Sequence, residues 1–152
     1  MNKFYITTSI VYTNAPPHIG FALELLQADV LARYKRKEGL DTFFLTGTDE
    51  HGLKIYKKAK EEGKNPQKFV NEISFEYRVL IEKLGISNDF FIRTTDKDIH
   101  LEGVQKVWRK LEERGDIYKK RYKGFYCSGC EAFKREKELI DGKCPDHGRE
   151  PE

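Results

Sequence analysis

The 152-residue sequence has no apolar run approaching the roughly 18 residues that a membrane-crossing helix needs. Its opening residues, MNKFYITTSI, lack the apolar stretch and small-residue cleavage site of a secretory signal. A cytoplasmic protein with no membrane partner is therefore expected. Cysteines number only 3, an odd count that argues against a closed disulfide framework. In a reducing compartment, paired cysteines point instead to metal or redox chemistry. No internal repeat and no low-complexity tract is present. Neither sign of charge dominates: the net charge of +3 does not by itself argue for nucleic acid. The glycine-rich signatures GxGxxG and GxxxxGK[ST] are both absent, which excludes the usual dinucleotide and P-loop devices.

What is present suits one domain, or one domain and a small module. Hydrophobic residues make up 38% and charged residues 35%, enough for a core under a densely charged surface. Basic residues gather in KVWRK at 106–110 and KKRYK at 119–123, where solvated faces are the ordinary reading. Residues 3–10, KFYITTSI, are rich in aromatic and β-branched types and predict a strand, broken over 11–17 by Asn14, Pro16 and Pro17. From His18 to Glu38, Ala22, Leu25, Leu26 and Val30 follow helical spacing, and Gly39 ends the run. DTFFLTGTD at 41–49 predicts a buried strand, so the first 49 residues form a β–turn–α–β unit with parallel strands and right-handed crossover. A short helix in GLKIYKKAKEEG follows. Asn65 and Pro66 then form an N-cap and first position for a helix through about Leu84. DFFIRTTD at 89–96 is extended, and 97–114 is helical with Val104, Val107, Trp108 and Leu111 on one side. Tyr118 to Tyr126 predicts a strand or hairpin arm, and the best boundary lies near Gly115.

The tail holds the strongest chemical pattern. Cys127 and Cys130 form C-x-x-C; Cys144 and His147 form C-x-x-H. Gly129 and Pro145 suit tight knuckle turns, and two such turns supply the thiolate and imidazole ligands that tetrahedral zinc prefers. Four protein ligands leave no open position, so the zinc would be structural. A thioredoxin-like C-x-x-C is the weaker alternative: it lacks its βαβ context and leaves His147 unexplained.

The segment NAPPHIGFA at 14–22 follows the first strand and opens the first helix. A helix start presents unpaired N–H groups and the positive end of its dipole, which suits an anion. Gly20 would admit a ligand close to the backbone, and His18 would donate to phosphate oxygens. The bland alternative is a proline turn with an incidental histidine. Ligands bind at the carboxyl ends of parallel strands, and this favours nucleotide binding.

In combination, FYITTSIVYTNAPPHIGFA, QADVLARYKR, FFLTGTDEHGLKI, DFFIRTTD and GDIYKKRYKGFYCSGCEAF strongly resemble the N-terminal part of bacterial methionyl-tRNA synthetases. PPHIGF stands where that family carries its HIGH signature. The resemblance implies an α/β fold: residues 1–115 as the first half of a class I Rossmann nucleotide-binding domain, and 116–152 as the start of a connective-peptide insertion with zinc knuckles. It implies methionine–tRNA ligase activity, with tRNA(Met), methionine and ATP with Mg2+ as substrates. Carried over by position, Pro17, His18, Gly20 and Phe21 would contact ATP, with His18 and Gly20 catalytic. Ser9, Ile10 and Tyr12 would line the amino-acid pocket, and Asp49 would accept the methionine α-amino group.

On the residues alone, Asp49 reads as a helix cap or loop carboxylate and Tyr12 as a core aromatic. His51 reads as a site residue or a loop anchor. Arg93 would orient a neighbouring loop or the insertion. The chain departs from the family's usual TTPIYYVN at Ser9, Val11 and Thr13, and Phe21 replaces the last histidine of HIGH. A phenyl ring donates nothing to a phosphate but packs on an adenine or on the protein. No KMSKS-type segment and no second half of the sheet is present, so a fragment inactive alone is expected, completed by a C-terminal remainder. Its exposed strand edge predicts marginal stability or self-association. The alternatives are a class I synthetase for another aliphatic amino acid and a non-catalytic zinc module that binds RNA or protein.

Overall fold

The computed structural model describes residues 2–152. Strands β1 (Lys3–Thr7) and β2 (Val11–Tyr12) run parallel to β3 (Asp41–Asp49), as does β4 (Phe90–Arg93). Leu45 faces both Thr7 and Phe90, and Thr48 faces both Val11 and Arg93. So β1 and β2 lie on one side of β3, and β4 lies on the other.

Between them, Thr8 to Ile10 stand opposite only Thr46 and Gly47. β1 and β2 are thus one strand interrupted by a bulge, a device that re-aims side chains beside functional sites. This corrects the expected break at residue 11: Val11 and Tyr12 are strand. The register resumes because the backbone N–H groups of Thr8 and Thr13 donate to the carbonyls of Leu45 and Asp49 at 3.2 and 3.0 Å.

Helix α1 (Ile19–Lys37) crosses from β2 to β3, and α2 (Leu53–Glu61) and α3 (Pro66–Lys83) lead to β4. Asn65 caps α3 as expected, its side chain accepting from the N–H groups of Gln67 and Lys68 at 2.9 and 3.4 Å. The core joins Phe21 and Leu25 of α1, Ile55 and Ala59 of α2, and Phe69, Val70, Ile73, Tyr77 and Ile81 of α3. A second cluster sets Ala28 and Ala32 of α1 on Phe44 of β3.

The expected buried face of α1 is corrected in part. Leu25 is buried, but Leu26 and Val30 are 41% and 64% exposed. Phe21, Ala28 and Ala32 take the inward positions, and Ile19, Leu23, Leu26 and Val30 mark an opposite apolar stripe. One sheet face also carries exposed aromatics, with Tyr5 and Phe43 stacked 6.0 Å apart.

Asp29 pins α1 to the loop before β4. Its carboxylate accepts from the Ser87 N–H and hydroxyl, each at 2.6 Å, and from Arg33 Nε at 2.6 Å. Burial works against its charge, but the Ser87 and Arg33 hydrogen bonds outweigh it and hold the carboxyl below its ordinary range.

Beyond β4, a wide turn (Lys97–Leu101) feeds α4 (Glu102–Glu113). Val104, Val107, Trp108 and Leu111 share one side of α4, as the spacing predicts, yet no α4 residue is buried. The expected arm over Tyr118–Tyr126 is shorter: strand begins only at β5 (Phe125–Cys127), paired antiparallel with β6 (Ala132–Lys134). No helix among the described residues is long and apolar enough to cross a membrane.

Candidate active site and metal centre

Tyr12 and Asp49 are direct neighbours across β2 and β3, at the carboxyl ends of these parallel strands. Asp49 is half-buried, and its backbone carbonyl accepts from the Thr13 N–H and hydroxyl at 3.0 and 3.2 Å. Among the described residues its carboxylate receives only a long bond from the Thr94 hydroxyl, at 3.4 Å. It forms no ion pair among the described residues, so its lone pairs stay available for an incoming ammonium group.

The loop after Asp49 is held by a buried charge. Glu50, 4% exposed, accepts from Arg93 Nε and a terminal nitrogen at 2.7 and 2.9 Å. It also accepts from the hydroxyls of Thr48, at 2.7 Å, and Thr95. Such a bidentate pair fixes orientation as well as charge. Arg93 therefore orients the neighbouring loop. His51 Nε2 lies 3.1 Å from the Thr94 carbonyl, which gives that ring a loop-anchoring contact.

The mouth of α1 has a defined tautomer. The Gly20 N–H donates to His18 Nδ1 at 3.1 Å, so the imidazole is the helix N-cap and Nε2 carries the proton when the ring is neutral. Gly20 is needed for this cap, because a Cβ there would lie 2.9 Å from His18 Cε1. Pro17 is half-buried beside it. Phe21 is 2% exposed and meets Tyr77 edge-on, with ring centroids 5.1 Å apart. Of the two packings open to it, on an adenine or on the protein, the second is observed.

Ser9 occupies the bulge. Its N–H and hydroxyl donate to the Glu24 carboxylate of α1 at 2.6 and 2.8 Å, while Ile10 beside it is 36% exposed. Tyr12 Oη donates to Glu131 at 2.9 Å. Burial, then this hydrogen bond, pushes the Tyr12 phenol up to about 12, so it stays a donor at neutral pH.

Cys127, Cys130, Cys144 and His147 converge, with their ligand atoms all within 4.8 Å of one another. Cys130 Sγ lies 3.5 Å from Cys144 Sγ and 3.3 Å from His147 Nδ1; Cys127 and Cys144 Sγ lie 4.0 and 3.9 Å from that nitrogen. Zinc–sulfur bonds near 2.3 Å in a tetrahedron require edges of about 3.8 Å, so the set fits the metal. Gly129 permits the convergence: a Cβ there would lie 2.5 Å from the His147 ring. All three cysteines are free. Burial and bonding to Cys144 and Cys127 push the Cys130 thiol up, whereas hydrogen bonds led by the Cys130 amide lower Cys127.

Comparison with known proteins places the chain in a family. The family model described as tRNA synthetases class I (M) matches residues 4–152. The chain belongs to the class I tRNA synthetases (M). It is 51% identical over 148 residues to a methionine–tRNA ligase of Thermotoga maritima, covering 95% of the chain and 23% of that relative. It is 50% identical to one of Clostridium acetobutylicum, again covering 23% of the relative and 97% of the chain. The chain thus spans about a quarter of the length of these curated relatives. A Mycobacterium tuberculosis methionyl-tRNA synthetase, solved with methionyl-adenylate, superposes with a TM-score of 0.89 at 42% identity, covering 99% of the chain and 30% of that protein. A leucyl-tRNA synthetase from Agrobacterium radiobacter shares the fold, with a TM-score of 0.80 at 24% identity over 98% of the chain and 20% of its own. The Rossmann-like α/β fold expected for a synthetase is therefore the one observed.

Three glutamates of this synthetase chain escaped sequence reasoning. Glu24 carries a weak signal, a charge inside the apolar stretch FALELL. Glu50 and Glu131 carry none, because Arg93 and Tyr12, which they bind, lie 43 and 119 residues away.

Proposed function

We propose that these residues form part of the substrate site of a methionine–tRNA ligase, which joins methionine to ATP as methionyl-adenylate and transfers it to tRNA(Met). The observation that carries this reading is the open Asp49 carboxylate beside Tyr12, at the carboxyl ends of parallel strands. Asp49 accepts the methionine α-ammonium, and Ser9, Ile10 and Tyr12 form the near wall of the pocket. The methionine carboxylate is already ionised, so no general base is needed; it attacks the α-phosphorus and pyrophosphate leaves. Catalysis rests on positioning and on charge stabilisation at phosphoryl oxygens.

His18 and Gly20 serve that stabilisation. With Nδ1 occupied by the Gly20 N–H, His18 directs an Nε2 proton to a phosphate oxygen, and the positive end of the α1 dipole adds partial positive charge. Pro17 sets the approach of the loop, and Phe21 supports the mouth of α1 from the core side. ATP enters as its magnesium complex. A bound zinc would be structural, joining the turns of Cys127–Cys130 and Cys144–His147. We read residues 1–115 as the catalytic portion and 116–152 as the insertion, in a cytoplasmic enzyme. A cleft of about 500 Å³ between α2 and the metal-holding segment, lined in part by Lys54, Lys57, Lys58 and Arg149, suits tRNA phosphates.

Amino-acid-dependent ATP–pyrophosphate exchange tests the assignment, in a polypeptide that carries these residues and has the length of its relatives. Exchange with methionine is expected. Exchange with leucine, isoleucine or valine, and none with methionine, would contradict it.

A further inference from the structure

Glu131 follows the metal ligand Cys130 directly, and its backbone sits at φ 53, in the left-handed region that costs a non-glycine residue energy. This conformation sends its carboxylate out of the Cys/His segment toward β2. One oxygen accepts from Tyr12 Oη at 2.9 Å, and the other lies 3.6 Å from Lys54 Nζ at the start of α2. Gly52 completes the junction. It has φ 140, and a Cβ there would lie 2.0 Å from Tyr12 Oη and 3.3 Å from the Glu131 carboxylate. The phenol, the carboxylate and the first turn of α2 thus fit together only around a glycine.

We propose that Glu131 is a positioning residue that ties the metal-holding turn to Tyr12, so that occupancy of the four-ligand site and the pose of Tyr12 are coupled. Its value to catalysis rests on the reading of Tyr12 as an amino-acid-site residue; the coupling itself does not. Coupling between two sites is reciprocal. A turn fixed by its ligands holds the phenol, and the held phenol slows the loss of metal.

Zinc release from the full 152-residue chain, followed with a chromophoric chelator, tests this. Tyr12→Phe and Glu131→Ala should each speed release about fivefold, the size one hydrogen bond confers. Glu131→Gln keeps an acceptor and should recover most of the slow release. The Tyr12→Phe/Glu131→Ala double variant should release no faster than the faster single variant, because both changes remove the same interaction. As a second readout, the Tyr12 ring resonance, assigned by its loss in Tyr12→Phe, should shift on metal removal in the wild type and stay in place in Glu131→Ala. Equal release rates throughout, multiplicative single effects, or a chain that holds no zinc would each overturn the proposal. If Glu131→Ala fails to fold, Tyr12→Phe and Glu131→Gln still decide it. Neither readout uses methionine or ATP, so failure here is distinct from failure of methionine-dependent exchange.

Discussion

The parallel sheet with α1, α2 and α3 buries nine apolar or aromatic side chains in one cluster, from Phe21 to Ile81. Between Phe125 and Arg149, by contrast, the buried residues are Cys127 and Cys144, both members of the ligand set. Both regions adopt defined backbones, yet by different means. In the first, apolar area leaves water, at about 25 cal/mol per Å². In the second, the chain is too short to bury a core, and a metal held by the four Cys and His side chains would do the equivalent work. The proposed substrate site lies at the carboxyl ends of the parallel strands, and the second region reaches Tyr12 there through Glu131.

Cutting a core side chain is the strongest way to probe the first region alone. Phe69 is 2% exposed and belongs to that cluster. Phe69→Ala should lower unfolding stability by about 3–5 kcal/mol, through lost transfer energy and the cavity left behind. Denaturant unfolding of the zinc-loaded chain measures it. Zinc stoichiometry of the folded variant should be unchanged, and a loss of metal there would join what the comparison separates.

A smaller effect is expected at Asp29. Asp29→Ala removes three bonds to a charged acceptor and strands the Ser87 N–H, for a cost of about 1.5–3 kcal/mol. The pH dependence follows from the lowered pKa. The stabilisation is present in full above the ordinary value of 3.8 and is lost as pH falls through the depressed folded value. Wild-type stability should therefore fall more steeply with acidification below pH 3.8 than that of Asp29→Ala. Parallel pH profiles would contradict the assignment.

Local patterns carried much of this fold. DTFFLTGTD is β3 from end to end, and Asn65 with Pro66 opens α3, because a buried strand and a capped helix start are written in adjacent residues. The Cys/His set was legible for the same reason: each knuckle is a short-range pattern. The bulge at Thr8–Ile10 was not, since it exists only relative to the register of β3. The faces of α1 were misjudged because that helix is apolar on two sides, and only tertiary packing chooses Phe21, Leu25, Ala28 and Ala32 over Leu26 and Val30. In the site, Asp49 and His18 stood out through the family resemblance. The pairings that brace the neighbouring segments stayed hidden, since Arg93 and Glu50, like Tyr12 and Glu131, meet only in the folded chain.

Amide hydrogen exchange before and after chelation tests most directly whether packing holds one region and a metal the other. The zinc-loaded chain should protect the backbone amides that pair β5 with β6 and the Cys144 amide that donates to Arg149 at 2.9 Å. After chelation those amides should exchange freely, while β3 and α3 keep their protection. Loss of protection across β3 together with β5 and β6, or protection of β5 and β6 that survives chelation, would contradict the account.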